Sequence, residues 1–156
     1  MTNSLPLQTV MVCTAVLFLK HFVTGLLGAK AKFAAGTRAP EDAADGKQNF
    51  GVAPSHASDV EPNATKITEM RWNRITMNDL ENIPLGLIVA WAAVACGGDA
   101  TTVAVATIVF TIARIGHTVA YARALSQARG LAYIVGSVAI FVLAGAGISG
   151  AFRSTI

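Results

Sequence analysis

Two short runs of ionisable and amide residues stand inside otherwise apolar sequence. Arg74, Asn78 and Glu81 follow one another at i, i+4 and i+7, and Arg114, His117 and Tyr121 at i, i+3 and i+7. At 100° per residue each trio lies within about 60° of arc, so each shares one helix face. A cation, an amide and an anion on one face, with a cation, an imidazole and a phenol on another, suit a polar ligand carrying both signs of charge. Such groups in a bilayer cost about 3 kcal/mol or more each unless paired or hydrated, and they mark functional candidates. The competing reading is a pair that merely holds two helices in register.

The elements that must position these residues are membrane helices. The chain has 156 residues, of which 53% are hydrophobic and 13% charged, where soluble domains carry roughly a quarter charged. Apolar segments run over about residues 5–29, 67–96, 101–122 and 129–152. A span needs about 20 residues; the second segment reaches that only if its polar approach around residues 78–82 is helical. A cleavable signal peptide fits the first segment poorly, because MTNSLPLQT has no basic residue and the apolar stretch continues past Lys20. The expected fold is all-α: one domain over residues 1–156, a four-transmembrane-helix bundle. A net charge of +3 is too small to argue for nucleic acid. Cys13 and Cys96 lack metal-ligand spacing and read as small buried hydrophobes, so no metal is expected.

Charge asymmetry orients the bundle. The link over residues 30–66 and its approach to the second helix carry Lys30, Lys32, Arg38, Lys47, Lys66, Arg71 and Arg74. GGDATT carries no basic residue, and the third link carries Arg123 and Arg129. The positive-inside rule puts the first and third links in the cytoplasm and both termini outside, with Arg153 dissenting. The first link is rich in Pro, Gly, Asp and Asn and reads as irregular; its Asn63-Ala64-Thr65 sequon reads as chance. With this topology Glu81 and Arg114 lie at similar depth, each about 10 Å further in than Arg74 and Tyr121. They are expected to form a charge pair at the floor of a water-filled, cytoplasm-facing pocket. Asn78 is then expected near His117. Pro84 is expected to kink or loosen the second helix. Small residues pair at four-residue spacing in the last helix: Gly145 with Ser149, Ala146 with Gly150, Gly147 with Ala151. Lys20 reads as structural or pore-facing, His21 is unassigned, Trp72 reads as an interfacial anchor and Trp91 as packing.

The run from Arg74 through Asn78-Asp79-Leu80-Glu81 to Pro84 resembles the second-helix signature of the MAPEG family, the membrane-associated proteins of eicosanoid and glutathione metabolism. Ala113-Arg114-Ile115-Gly116-His117-Thr118-Val119-Ala120-Tyr121 resembles the third-helix signature. Pro40-Glu41-Asp42 matches a motif in the first cytoplasmic loop. The sub-branch most resembled is that of microsomal glutathione transferase and prostaglandin E synthase. The resemblance implies a homotrimer with glutathione bound near the cytoplasmic side between subunits. Carried over position by position, it implies a glutathione site of Lys32, Arg74, Asn78, Glu81, Arg114, His117, Tyr121, Arg129 and Tyr133. Arg129 and Tyr121 are the implied catalytic pair, with Arg129 beside the sulfur. Three departures stand out: the basic residue at the end of the first helix is matched only approximately, by Lys32 or Lys30, the step from Tyr121 to Arg129 is about a residue short, and Gly130 replaces the serine after that arginine. The last counts against a serine-assisted isomerase.

Glutathione carries two carboxylates, an ammonium and a thiol, and these residue types answer each of them. The expected activity is conjugation of glutathione thiolate to hydrophobic electrophiles, with reduction of lipid hydroperoxides as a second activity. The partners are membrane lipid and the apolar co-substrate, and the location is a bacterial inner membrane or the endoplasmic reticulum. A prostaglandin-E-synthase-like isomerase and a non-catalytic lipid-presenting scaffold are the alternatives, with a small transporter third.

Overall fold

The computed structural model describes residues 4–43, 47–52 and 64–153. Asn63 of the sequon, and much of the first link, lie outside the described residues. The described residues form four α-helices, α1 (Leu5–Ala34), α2 (Ala64–Ala95), α3 (Ala100–Ala122) and α4 (Ser126–Arg153), with a 3-10 turn at Pro40–Asp42. No strand occurs among the described residues. Three of these helices, α1, α3 and α4, are long and apolar enough to cross a bilayer. The fourth, α2, is helical through its polar approach, as spanning requires, and it continues through Pro84 without a break. Its Asn82 side chain donates to the Asn78 carbonyl at 2.8 Å in the turn before that proline.

The helices outrun the apolar segments because hydropathy and helix formation stop at different signals. After residue 29 come Lys30, Lys32 and Phe33 among alanines, good helix formers with no breaker. The stop is Gly36, at φ +70. Thr37 N–H then bonds to Lys32 O at 3.1 Å and Gly36 N–H to Phe33 O at 3.3 Å, the paired bonds of a Schellman cap. The same cap ends α2, with Gly97 at φ +71 and bonds from Gly98 to Ala93 and from Gly97 to Val94. It ends α3 as well, with Ala124 at φ +60. Asp99 caps the start of α3 by accepting from Thr102 N–H at 2.9 Å and its hydroxyl at 2.7 Å. Those two bonds, the hydroxyl's first, hold the Asp99 carboxyl below its ordinary range.

The described chain forms two compact units, residues 1–21 with 78–156 and residues 22–77. In the first, Val10, Ala90, Ala93, Val103, Leu143 and Ala146 make one buried cluster, and Leu17, Ile83, Phe110 and Ala139 another. Trp91 packs against the first cluster and donates to the Thr14 hydroxyl at 3.2 Å. Outward-facing Phe18, Ile112, Leu131 and Phe141 are exposed, as lipid-facing side chains are. In the second unit, buried Gln48 folds the first link onto α1. It donates to Phe33 O at 2.9 Å and accepts from Arg38 N–H at 3.1 Å. Arg38 also pairs with Asp42 at 2.6 Å, which places the Pro40-Glu41-Asp42 motif in an ordered turn.

Of the small-residue pairs in α4, Ala146 with Gly150 is the buried one. A methyl on Gly150 would lie 2.4 Å from the Cys96 carbonyl oxygen and 2.6 Å from Gly98 N, whereas one on Gly145 would meet nothing within 4 Å. Alanine gains about 1 kcal/mol in helix propensity at either site. At Gly150 the clash is with backbone, and Gly150→Ala should lose about 1–3 kcal/mol net. Gly145→Ala should hold or raise the melting temperature in detergent, so the two variants should move in opposite directions.

Candidate functional site

Three helices meet at a buried polar network inside the first unit. Lys20 of α1 donates to both carboxylate oxygens of Asp79 on α2. Arg114 of α3 reaches the same carboxylate at 3.4 Å and donates to the side-chain oxygen of Asn78. Asp79 is 0% and Arg114 1% exposed. Two cations share one carboxylate, so the buried network keeps one net positive charge.

Arg114 therefore pairs with Asp79, and the pair expected with Glu81 is not formed. The reason is angular. Residues 79 and 81 lie about 160° apart around a helix, so burying one exposes the other, and Glu81 is exposed. Asn78, expected near His117, meets Arg114 of α3. Lys20, read as structural or pore-facing, is paired with Asp79 across the α1–α2 contact. The signal that points to Asp79 is in the sequence: a lone lysine in an apolar helix needs an anion at matching depth. Asp79 stands beside Asn78, 100° off the stripe that joins Arg74 to Glu81.

The second cluster lies at the end of α3. His117 is buried, and its ring meets Tyr121 edge-on with centroids 5.8 Å apart. The guanidinium of Arg129 lies 4.5 Å from the centre of the Tyr121 ring, inside the range of a cation–π contact. The α3 cap brings them together. Leu125 N–H bonds to Ala120 O at 2.9 Å and Ala124 N–H to Tyr121 O at 3.1 Å. This tight turn folds α4 back from Ser126, and its first turn carries Arg129 over Tyr121. Arg114 Nε, His117 Nδ1 and Thr118 Oγ1 are buried with no hydrogen-bond partner among the described residues. Such groups are few in native proteins and each calls for an explanation.

Three other residues of the expected site are exposed. Tyr133 is exposed on α4, one turn beyond Arg129. Lys32, in the last turn of α1, and Arg74, on α2, are both exposed and belong to the second unit. Unassigned His21 lines a cleft of about 270 Å³ between α1 and α2, with Asp79, Leu17, Phe18 and Ile83. An apolar groove of about 540 Å³ runs along α3 and α4.

Apolar helices around a buried charged network, with an arginine–tyrosine contact between α3 and α4, define a helical integral membrane protein. A model of the MAPEG family matches residues 10–149, nearly the whole chain, and the protein belongs to that family. The family is that of the membrane-associated proteins of eicosanoid and glutathione metabolism. No curated protein matched the chain.

Proposed function

We propose that the protein is a membrane-bound glutathione transferase that binds glutathione as its thiolate and adds it to hydrophobic electrophiles. The observation that carries this reading is Arg129 held 4.5 Å over the Tyr121 ring, beside a helix face that also bears His117 and Arg114. A permanent cation next to a phenol suits a sulfur anion, since arginine stays charged at any working pH. An opposite charge that close lowers a thiol pKa by about 1–3 units. The thiol proton leaves to solvent, and the sulfur lone pair forms the new C–S bond. A displaced group carries the electrons away, or a proton from water completes the addition. With a lipid hydroperoxide, attack at the terminal oxygen breaks the O–O bond, releases the lipid alkoxide (protonated by water to the alcohol) and leaves a sulfenic acid, from which a second glutathione displaces water to form the disulfide.

The rest of the ligand has matching groups. Lys32 and Arg74 suit its carboxylates, Glu81 its ammonium, Asn78 and His117 its peptide and carboxylate atoms, and Tyr133 its flank, while buried Arg114 acts through Asn78. Exposed Arg74, Glu81 and Tyr133 on a single chain suit a ligand shared with a neighbouring copy in a homotrimer. A cytoplasm-facing site meets the compartment where glutathione keeps thiols reduced. The apolar outer surface lets lipid-dissolved electrophiles and hydroperoxides reach the sulfur from the side.

Titration of the detergent-purified protein with glutathione at pH 7, followed by thiolate absorbance in the ultraviolet, tests the reading. A saturable rise supports it. No binding at millimolar glutathione would overturn it in favour of a lipid-presenting scaffold.

A further inference from the structure

The network gives Asn78 a definite polarity. Arginine has five donors and no acceptor, so the Asn78 atom that meets Arg114 is the oxygen, and the NH₂ edge faces away. Flipping the amide would set N–H against N–H. Arg114 cannot turn aside without leaving Asp79, whose two oxygens are both engaged by Lys20. Asn78 is only half-buried, while the Lys20 side chain is 10% exposed and those of Asp79 and Arg114 are 0% and 1%. Lys20 is likewise partly buried but is committed to Asp79, so the NH₂ edge of Asn78 is the partly exposed donor of the network left for a ligand.

We propose that Lys20 and Asp79 are positioning residues: acting through Arg114, they hold Asn78 as an obligate hydrogen-bond donor to a carboxylate of the bound tripeptide. The proposal rests on the glutathione reading above. The acceptor is a carboxylate because the network's surplus positive charge repels the ligand's ammonium and favours an anion. Neither Lys20 nor Asp79 touches the ligand.

The test is calorimetric binding of glutathione to the full-length protein in detergent, with turnover and thermal unfolding measured on the same samples. Asn78→Asp keeps an oxygen toward Arg114 and turns the outer edge from donor to acceptor. Affinity should fall at least tenfold with the unfolding temperature held within a few degrees. The double variant Lys20→Met/Asp79→Asn preserves the net charge while removing the ion pair. It should raise KM for glutathione about tenfold and leave turnover at saturation near wild type, and Lys20→Arg should keep wild-type KM. Two analogues identify the acceptor: glutathione with its glycine carboxylate esterified, and 4-aminobutyryl-cysteinyl-glycine, which lacks the glutamyl carboxylate. The Asn78→Asp penalty should vanish with one of them, and an equal penalty with both would remove the carboxylate from the proposal. If the double variant fails to fold, Lys20→Met, which leaves Asp79 with Arg114, is read by the same criterion. Wild-type binding of glutathione together with unchanged affinity in these variants would overturn the positioning role. Failure of the wild type itself to bind would overturn the glutathione reading instead.

Discussion

Asp79→Leu is expected to destabilise the folded protein by about 3–5 kcal/mol, the penalty for stripping one partner from a buried ion pair. Asp79 is the only carboxylate in the described network, and it faces both Lys20 and Arg114. Its loss strands two cations in an interior closed to water, where neither can be rehydrated without opening the bundle. The measurement is chemical or thermal unfolding in detergent micelles, followed by circular dichroism. A second arm separates the ion network from simple packing. Replacing Lys20, Asp79 and Arg114 together by Met, Leu and Leu should recover most of the loss, since apolar substitutes for a whole buried network are often neutral or better. Wild-type-like unfolding of Asp79→Leu would mean that the network contributes nothing to stability.

Arg129→Ala is expected to cost the largest share of activity. A thiol with an ordinary pKa near 8.5 is only about 3% ionised at pH 7. Lowering that pKa by about 1–3 units raises the thiolate to between roughly a quarter and nearly all of the bound ligand. Removing the guanidinium should therefore cut kcat/KM at pH 7 by about ten- to thirtyfold through thiolate population alone. The pH dependence has a defined sign. The cation stabilises the deprotonated form, so its loss moves the ionisation upward, and the variant's rate should still be climbing at about pH 9 where the wild type has levelled. Arg129→Lys keeps the charge but not the flat face over Tyr121, and should fall between the two. A pH–rate profile paired with ultraviolet thiolate absorbance checks this. Wild-type turnover in Arg129→Ala at pH 7 would remove Arg129 from the mechanism.

Much of this architecture is written in local sequence. Apolar runs long enough to cross a bilayer specify α1, α3 and α4, because lipid leaves the backbone no partner but itself. The stripes of Asn78 and of Arg114, His117 and Tyr121 are legible because helix periodicity converts spacing into a shared face. Gly97 and Asp99 likewise announce the α2–α3 turn, one by its freedom at positive φ and the other by its capping carboxylate. At the α3–α4 turn the same cap is built on Ala124, a residue that gives no such signal.

Partner choice is a different kind of information. Glu81 and Asp79 are both acids on α2 at nearly the same depth, and periodicity favours Glu81 because it shares the stripe of Asn78. Which acid meets Arg114 depends on how α2 is rotated about its axis. That rotation follows from where Ile83, Ala90 and Ala93 find cover in the core, and from Lys20 reaching across from α1. The contact of Arg129 with Tyr121 has the same character, since it exists only once the turn at Ala124 sends α4 back along α3. Spacing along one helix sets which groups share a face, and the packing of neighbouring helices sets which of them meet.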